Sequence, residues 1–215
     1  MSRTIRGMST IALIAGLALG AGGFSSASQT KSFALSGFNA VSASAGVTVV
    51  MSQGPYAVQA AETNGQFDKL VLEVRGSTLV VSRTNSWFDS PGRHYTVTVS
   101  APAYVAVHAS SGSSVTAQLS SNDLEAESSS GATLRLSGAC TALRATASSG
   151  STLDGQDLRC HKARLSVNSG ASVRAFADSE ASGEASSGGN IVVHGKPASL
   201  DRHTSSGGSI RLAGI

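Results

Sequence analysis

Charge and aromatic rings are scarce in this chain. Of 215 residues 13% are charged, with 16 Lys and Arg against 13 Asp and Glu, and no basic run interleaved with aromatics occurs, which argues against a nucleic-acid surface. Aromatic residues make up only 5%, so the adjacent pair Trp87-Phe88 stands out. Two cysteines are too few for a disulfide-dense mini-domain. After the first 27 residues no apolar run is long enough to span a membrane.

Small residues are abundant instead, and they recur. Ser-Ser-Gly or a close relative returns with its glycine at Gly112, Gly131, Gly150, Gly170, Gly188 and Gly207, a spacing of 18 to 20 residues. So regular a period marks a solenoid, in which each coil buries its apolar face only when a neighbour stacks on it. Aligned on these glycines, the position three residues later reads Val115, Leu134, Leu153, Val173, Ile191, Ile210, with no polar interruption. Two residues further stand Ala117, Leu136, Gly155, Ala175, Val193 and Leu212, and between the two columns lie Thr116, Arg135, Asp154, Arg174, Val192 and Arg211. This alternation is that of a strand with one buried face.

Seven residues before the glycine, Val105, Leu124, Leu143, Ala163, Ala181 and Leu200 predict a second inward strand, continued by Val107, Ala126, Ala145 and Leu165. The two strands meet at the Ser-Ser-Gly, where glycine supplies the positive φ of a sharp corner. Gly and Ser at this density oppose helix. The expected fold is therefore all-β, a single-stranded parallel β-helix or β-solenoid of about 19 residues per coil. Residues 105–215 form the Ser-Ser-Gly repeat, and residues 28–104 supply N-terminal strands, a cap and the first coils of one continuous domain running from about 33 to 215. A solenoid needs such a polar-surfaced cap.

Cys140 and Cys160 each lie ten residues before a corner glycine, so they share a column on adjacent rungs. The rung spacing of about 4.8 Å falls within the Cα separation a disulfide accepts, and the spacing predicts that bond. Reading the same cysteines with His161 and His194 as a metal site leaves three ligands at best.

Residues 1–27 read as a secretory signal peptide: Arg3 and Arg6 precede an apolar run from about residue 10 to 23, with Ser25 and Ala27 before a cut near Ser28. Without those two arginines the mature chain is one positive charge from neutral. Export to the periplasm, cell surface or extracellular space is expected, and it agrees with a disulfide.

Three features carry a resemblance to a known family: Gly37-Phe38-Asn39-Ala40-Val41, then Gly46-Val47-Thr48-Val49-Val50-Met51-Ser52-Gln53-Gly54, and the strand 95–100 leading into Ala101-Pro102 ahead of the Ser-Gly repeats. Together they resemble the bacterial head GIN domain family, which carries an auto-transporter adhesin label, over roughly residues 33–212. The resemblance implies an exported β-helical domain with a binding or adhesion role. The sequence departs from a true autotransporter in showing no translocation barrel beyond Gly207, so self-export is not expected.

No catalytic, cofactor or metal motif appears. Asp154 falls between Arg135 and Arg174 as an outward charge ladder, and Asp123, Glu125 and Glu127 share the outer face as a solvated acidic edge. No serine lies in a Gly-x-Ser-x-Gly elbow. The competing reading is a secreted polysaccharide lyase or glycoside hydrolase built on a β-helix, which requires carboxylates converging with Lys or Arg in a groove. For a noncatalytic protein the candidate ligand contacts are Trp87, Phe88 and Tyr95, which would offer a stacking patch to a glycan or a surface protein. At the other end, the rung holding Ile210 and Leu212 lacks a visible cap and invites a homo-oligomer.

Overall fold

The computed structural model describes residues 28–84 and 94–213, and every regular element among them is a strand. The alternation dictates two walls that face each other across one aliphatic core. The first wall is laid down in the order β1 (Gln29–Phe33), β4 (Ala57–Glu62), β7 (Thr96–Ala101), β3 (Thr48–Gln53), then the leading halves of β9 (Ser114–Ser128), β10 (Thr133–Ala147) and β11 (Thr152–Val167), and finally β12 (Ser172–Phe176), β14 (Asn190–His194) and β16 (Ser209–Leu212). The second wall runs β5 (Leu70–Arg75), β6 (Thr78–Arg83), β2 (Ala40–Ala43), β8 (Ala106–Ala109), the trailing halves of β9 to β11, β13 (Glu180–Ala185) and β15 (Ser199–Thr204). From β2 and β3 onward all pairing within the stack is parallel, with one register shift between Arg135 and Ser137 where β10 meets β11, and Val49, Val115, Leu134, Leu153, Val173, Ile191 and Ile210 form one ladder.

The columns point as the periodicity requires: Val115, Leu134, Leu153, Val173 and Ile191 are fully buried, as are Leu124, Leu143 and Leu165 on the facing wall to within 2%. Each such aliphatic contributes about 1.5–3 kcal/mol on burial. Val105 departs from its expected column. It is 47% exposed, because the chain bends ahead of β8 and Tyr104 takes the inward place instead, donating its hydroxyl to Ser52 O at 3.1 Å. At the far end Leu200 and Ile210 are only half-buried and Leu212 is 43% exposed, since no further described rung covers them.

At the corners the backbone differs from the expectation in one respect. Glycine does not bend alone: the serine before it is also left-handed, with φ of 50° at Ser130 and 53° at Ser149 beside glycines at 71° and 69°. Two successive positive φ values make a type I′ turn, closed by Ala132 N–H to Ser129 O at 3.1 Å. This geometry turns the serine carbonyl along the axis, where it accepts from the glycine N–H of the preceding coil. The chain of such bonds runs from Gly46 to Ser206 at 3.0 to 3.2 Å. The hydrogen-bonded ladder thus continues through the corner. Ala45-Gly46 is a further corner of the same kind, so the solenoid begins at β2 and β3.

Residues 54–105 are then an excursion out of the stack. They return β7 onto β3 and β6 onto β2 in parallel, and cover these with antiparallel β4 on one wall, itself flanked by β1 from the chain's N-terminal side, and β5 on the other. The cap expected for the N-terminal region is this set of antiparallel strands.

Candidate binding face

Cys140 and Cys160 are paired in register and joined by a disulfide with a Cα separation of 4.5 Å. Both sulfurs are therefore committed to each other and not to a metal. The bond lies at the bend opposite the Ser-Ser-Gly corners, beside an open depression of about 790 Å³ that includes Tyr104, Ser121, Thr141 and Arg159. His161 Nδ1 and Asp178 Oδ1 stand 2.9 Å apart on its rim. Burial pushes the Tyr104 phenol up to about 12.

Of the proposed stacking patch, Trp87 and Phe88 lie outside the described residues. Tyr95 does not belong to an exposed patch. It is 2% exposed, one of the largest core side chains, and its hydroxyl donates to Gln66 O at 3.1 Å. Alternation explains this: Tyr95 precedes Val97 and Val99 on the inward face of β7. The corner glycines Gly112, Gly131, Gly150, Gly170, Gly188 and Gly207 all have positive φ and build the turns.

Outward columns carry the polar chemistry. On the first wall Asp154 stands in register between Arg135 and Arg174, with Arg174 Nη1 3.6 Å from Asp154 Oδ2. The second wall is banded. Its first band is acidic, with Asp123, Glu125 and Glu127 all exposed and Glu127 3.2 Å from His108 Nδ1. Next come Arg144 on one rung and Lys162 and Arg164 on the following one, with Arg144 in register between Glu125 and Arg164. A second acidic band follows with Glu180, Glu184 and Asp201, and Lys162 Nζ reaches Glu180 at 3.1 Å. Next to the inward column seven before each corner glycine lies the column six before it, in which Arg144 and Arg164 stand together. That column was the available signal. These acids and bases are spread along the length of the wall.

Fold and faces together define a class: a two-walled parallel β-solenoid, capped at its N-terminal end, whose polar groups form outward ladders. The family model described as "Putative auto-transporter adhesin, head GIN domain" matches residues 37–197, and the chain belongs to that family. Among solved structures it is similar to a "putative adhesin" from Bacteroides fragilis, with 14% identity and a TM-score of 0.68 over 88% of this chain and 98% of the other. It is also similar to a "putative adhesin" from Parabacteroides merdae, with 12% identity and a TM-score of 0.55 over 87% and 96% of the two chains. At these identities the likeness is one of fold. No curated protein matches the chain. Among the described residues no helix is long and apolar enough to cross a membrane.

Proposed function

We propose that this chain is an exported, noncatalytic β-solenoid of the cell envelope or surface that acts in adhesion, meeting a glycan or a surface protein with its outer walls. The observation that carries the reading is the arrangement of the polar side chains: they form ladders along the outer faces of two walls, with Asp154, Glu127 and Glu180 each beside a base of a neighbouring rung. Membership of an adhesin-labelled family and a disulfide between adjacent rungs support export and binding.

The test is adhesion of beads coated with the purified mature chain to bacterial and host cell surfaces, alongside incubation of the same protein with soluble polysaccharides. Adhesion above that of uncoated beads, with no new reducing or unsaturated sugar ends released, is the expected result. Absence of adhesion, or turnover of a polysaccharide, overturns it. The half-exposed last described rung, with Leu212 at 43%, supports self-association through β15 and β16. A concentration-independent monomer by light scattering rules that out.

A further inference from the structure

Several cations on the second wall and at its adjoining bend sit beside anions, while Arg159, Lys196 and Arg202, like Arg144 and Arg164, have no ion pair among the described residues. Lys162 has Glu180 at 3.1 Å, His108 has Glu127 at 3.2 Å, His161 has Asp178 at 2.9 Å and His203 has Asp201 at 3.7 Å. Arg144 and Arg164 have no ion-pair or hydrogen-bonded partner among the described residues. They are nevertheless in register on adjacent parallel strands, where like charges directly opposite each other are destabilising. Glu125 is the next residue of the same column below Arg144, yet no ion pair joins them. The fold therefore carries an uncompensated pair of guanidinium groups in the middle of its length.

Beside them the wall has a notch. Ser182 follows Arg164 in the column and precedes Asp201, so one short side chain stands where its neighbours are long. The resulting cleft of about 430 Å³ is lined on one side by Arg144, Arg164 and the hydroxyls of Thr146 and Ser166, and on the other by Glu184, Asp201 and the His203 beside it. The two sides ask for different chemistry. Guanidinium groups bind a carboxylate through paired N–H donors. Carboxylates across a narrow cleft accept hydroxyl protons and repel a second anion. A densely charged polymer such as nucleic acid or a polyphosphate meets that repulsion, whereas a sugar with one carboxylate and several hydroxyls satisfies both sides.

We propose that Arg144 and Arg164 form an anion site for a uronate-containing polysaccharide, with the sugar hydroxyls directed to Glu184 and Asp201. This deepens the adhesion reading and rests on it.

The mature protein is titrated by surface plasmon resonance with oligogalacturonate, with its methyl ester, which keeps the hydroxyls and loses the charge, and with poly-L-glutamate. The free acid is expected to bind, the ester and Arg144→Gln or Arg164→Gln roughly tenfold or more weaker, because each removes a charge-assisted hydrogen bond. Folding of the variants is checked by thermal melting, in which loss of one like charge leaves the midpoint unchanged or raised. The free acid should raise the parent's midpoint and leave that of the double variant where it was. Equal binding of acid and ester, equal binding by parent and double variant, no binding of the acid, or equal binding of poly-L-glutamate each overturns the proposal. If the double variant loses no cell adhesion, the uronate site is wrong while the adhesion role stands. If the parent itself fails to adhere to cells, the broader reading fails independently.

Discussion

Two glycines that look alike in composition should differ sharply on substitution by alanine. Gly131 is a corner glycine at φ +71°, and a Cβ added there would meet no atom within 4 Å. The residue before it, Ser130, already carries a side chain at φ 50°. The left-handed conformation costs an L-residue about 1–2 kcal/mol, partly offset by about 0.4–1 kcal/mol from restricting the unfolded chain, so Gly131→Ala should cost about 1 kcal/mol. Gly138 stands at φ +116°, outside the left-handed well, at the bend where β10 pairs with Leu119 of β9. A Cβ there would overlap the backbone oxygen of Leu119, which cannot rotate away as a side chain could. Accommodating it means opening the ladder between two rungs, and Gly138→Ala should cost about 4 kcal/mol or more.

For a domain of this size these costs correspond to a fall in melting midpoint of about 2–4 °C for the corner variant and of about 10 °C or more for the bend variant. Circular dichroism melts of the two variants and the parent measure the difference. Because a solenoid is held by nearest-neighbour contacts, amide exchange in Gly138→Ala should quicken first around residues 117–121 and 136–140. Equal losses for the two variants, or a minor loss at Gly138, would refute the reasoning that rung contact outweighs corner geometry.

Replacing both Cys140 and Cys160 by serine removes a cross-link across 20 residues and should cost about 3 kcal/mol, read as a lower denaturation midpoint in urea; an unchanged midpoint would mean that stacking alone holds the two rungs. Burial holds the Tyr104 phenol up at about 12 in the fold, so between about pH 10 and 12 folding keeps it neutral while the unfolded phenol ionises; its contribution to stability should be fully present below about pH 10 and fall as the pH rises toward about 12, and a Tyr104→Phe chain should lose that part of the alkaline slope. If residues 1–27 are a cleaved leader, N-terminal sequencing of protein recovered outside the cytoplasm should begin near Ser28, and an intact Met1 contradicts it. On a glycan array a Trp87→Ala chain should bind less than the parent if the aromatic pair is a contact, and equal binding removes that role.

The walls were legible because packing leaves little choice inside a thin solenoid. A position that faces the core must be apolar in every coil, and Leu134, Leu153, Val173 and Ile191 say so in sequence order. The disulfide followed from the same register. What escaped the reading lies where one element interrupts another. The Ala45-Gly46 corner belongs to the repeat, yet the excursion through residues 54–105 separates it from Gly112 and hides the period. Tyr95 opens the strand 95–100 that the sequence shows, and its parity with Val97 and Val99 sends it inward, whereas its nearness to Trp87-Phe88 suggests a ligand contact. The left-handed serines were not legible at all. Ser130 and Ser149 adopt positive φ because an inter-coil hydrogen bond to the glycine N–H of the coil before stabilises it, a partner that appears only once the coils are stacked.

Outward columns obey a weaker rule, which makes departures from it informative. An exposed strand position between two inward ones accepts any residue that does not clash, and serine or threonine serves at several of them: Thr146 and Ser166 occupy the outward column two residues from Arg144 and Arg164. Against that inexpensive alternative, two arginines stacked on consecutive rungs add mutual repulsion and lose side-chain freedom without making a contact that the fold uses. Neither the corner ladder, the core, nor the disulfide requires them. Their position follows from the register, while their identity has no explanation in the folded chain alone. An anion held between the guanidinium groups would turn the repulsion into a shared attraction, and with Glu184 and Asp201 across the same notch the anion it suits is one surrounded by hydroxyl groups.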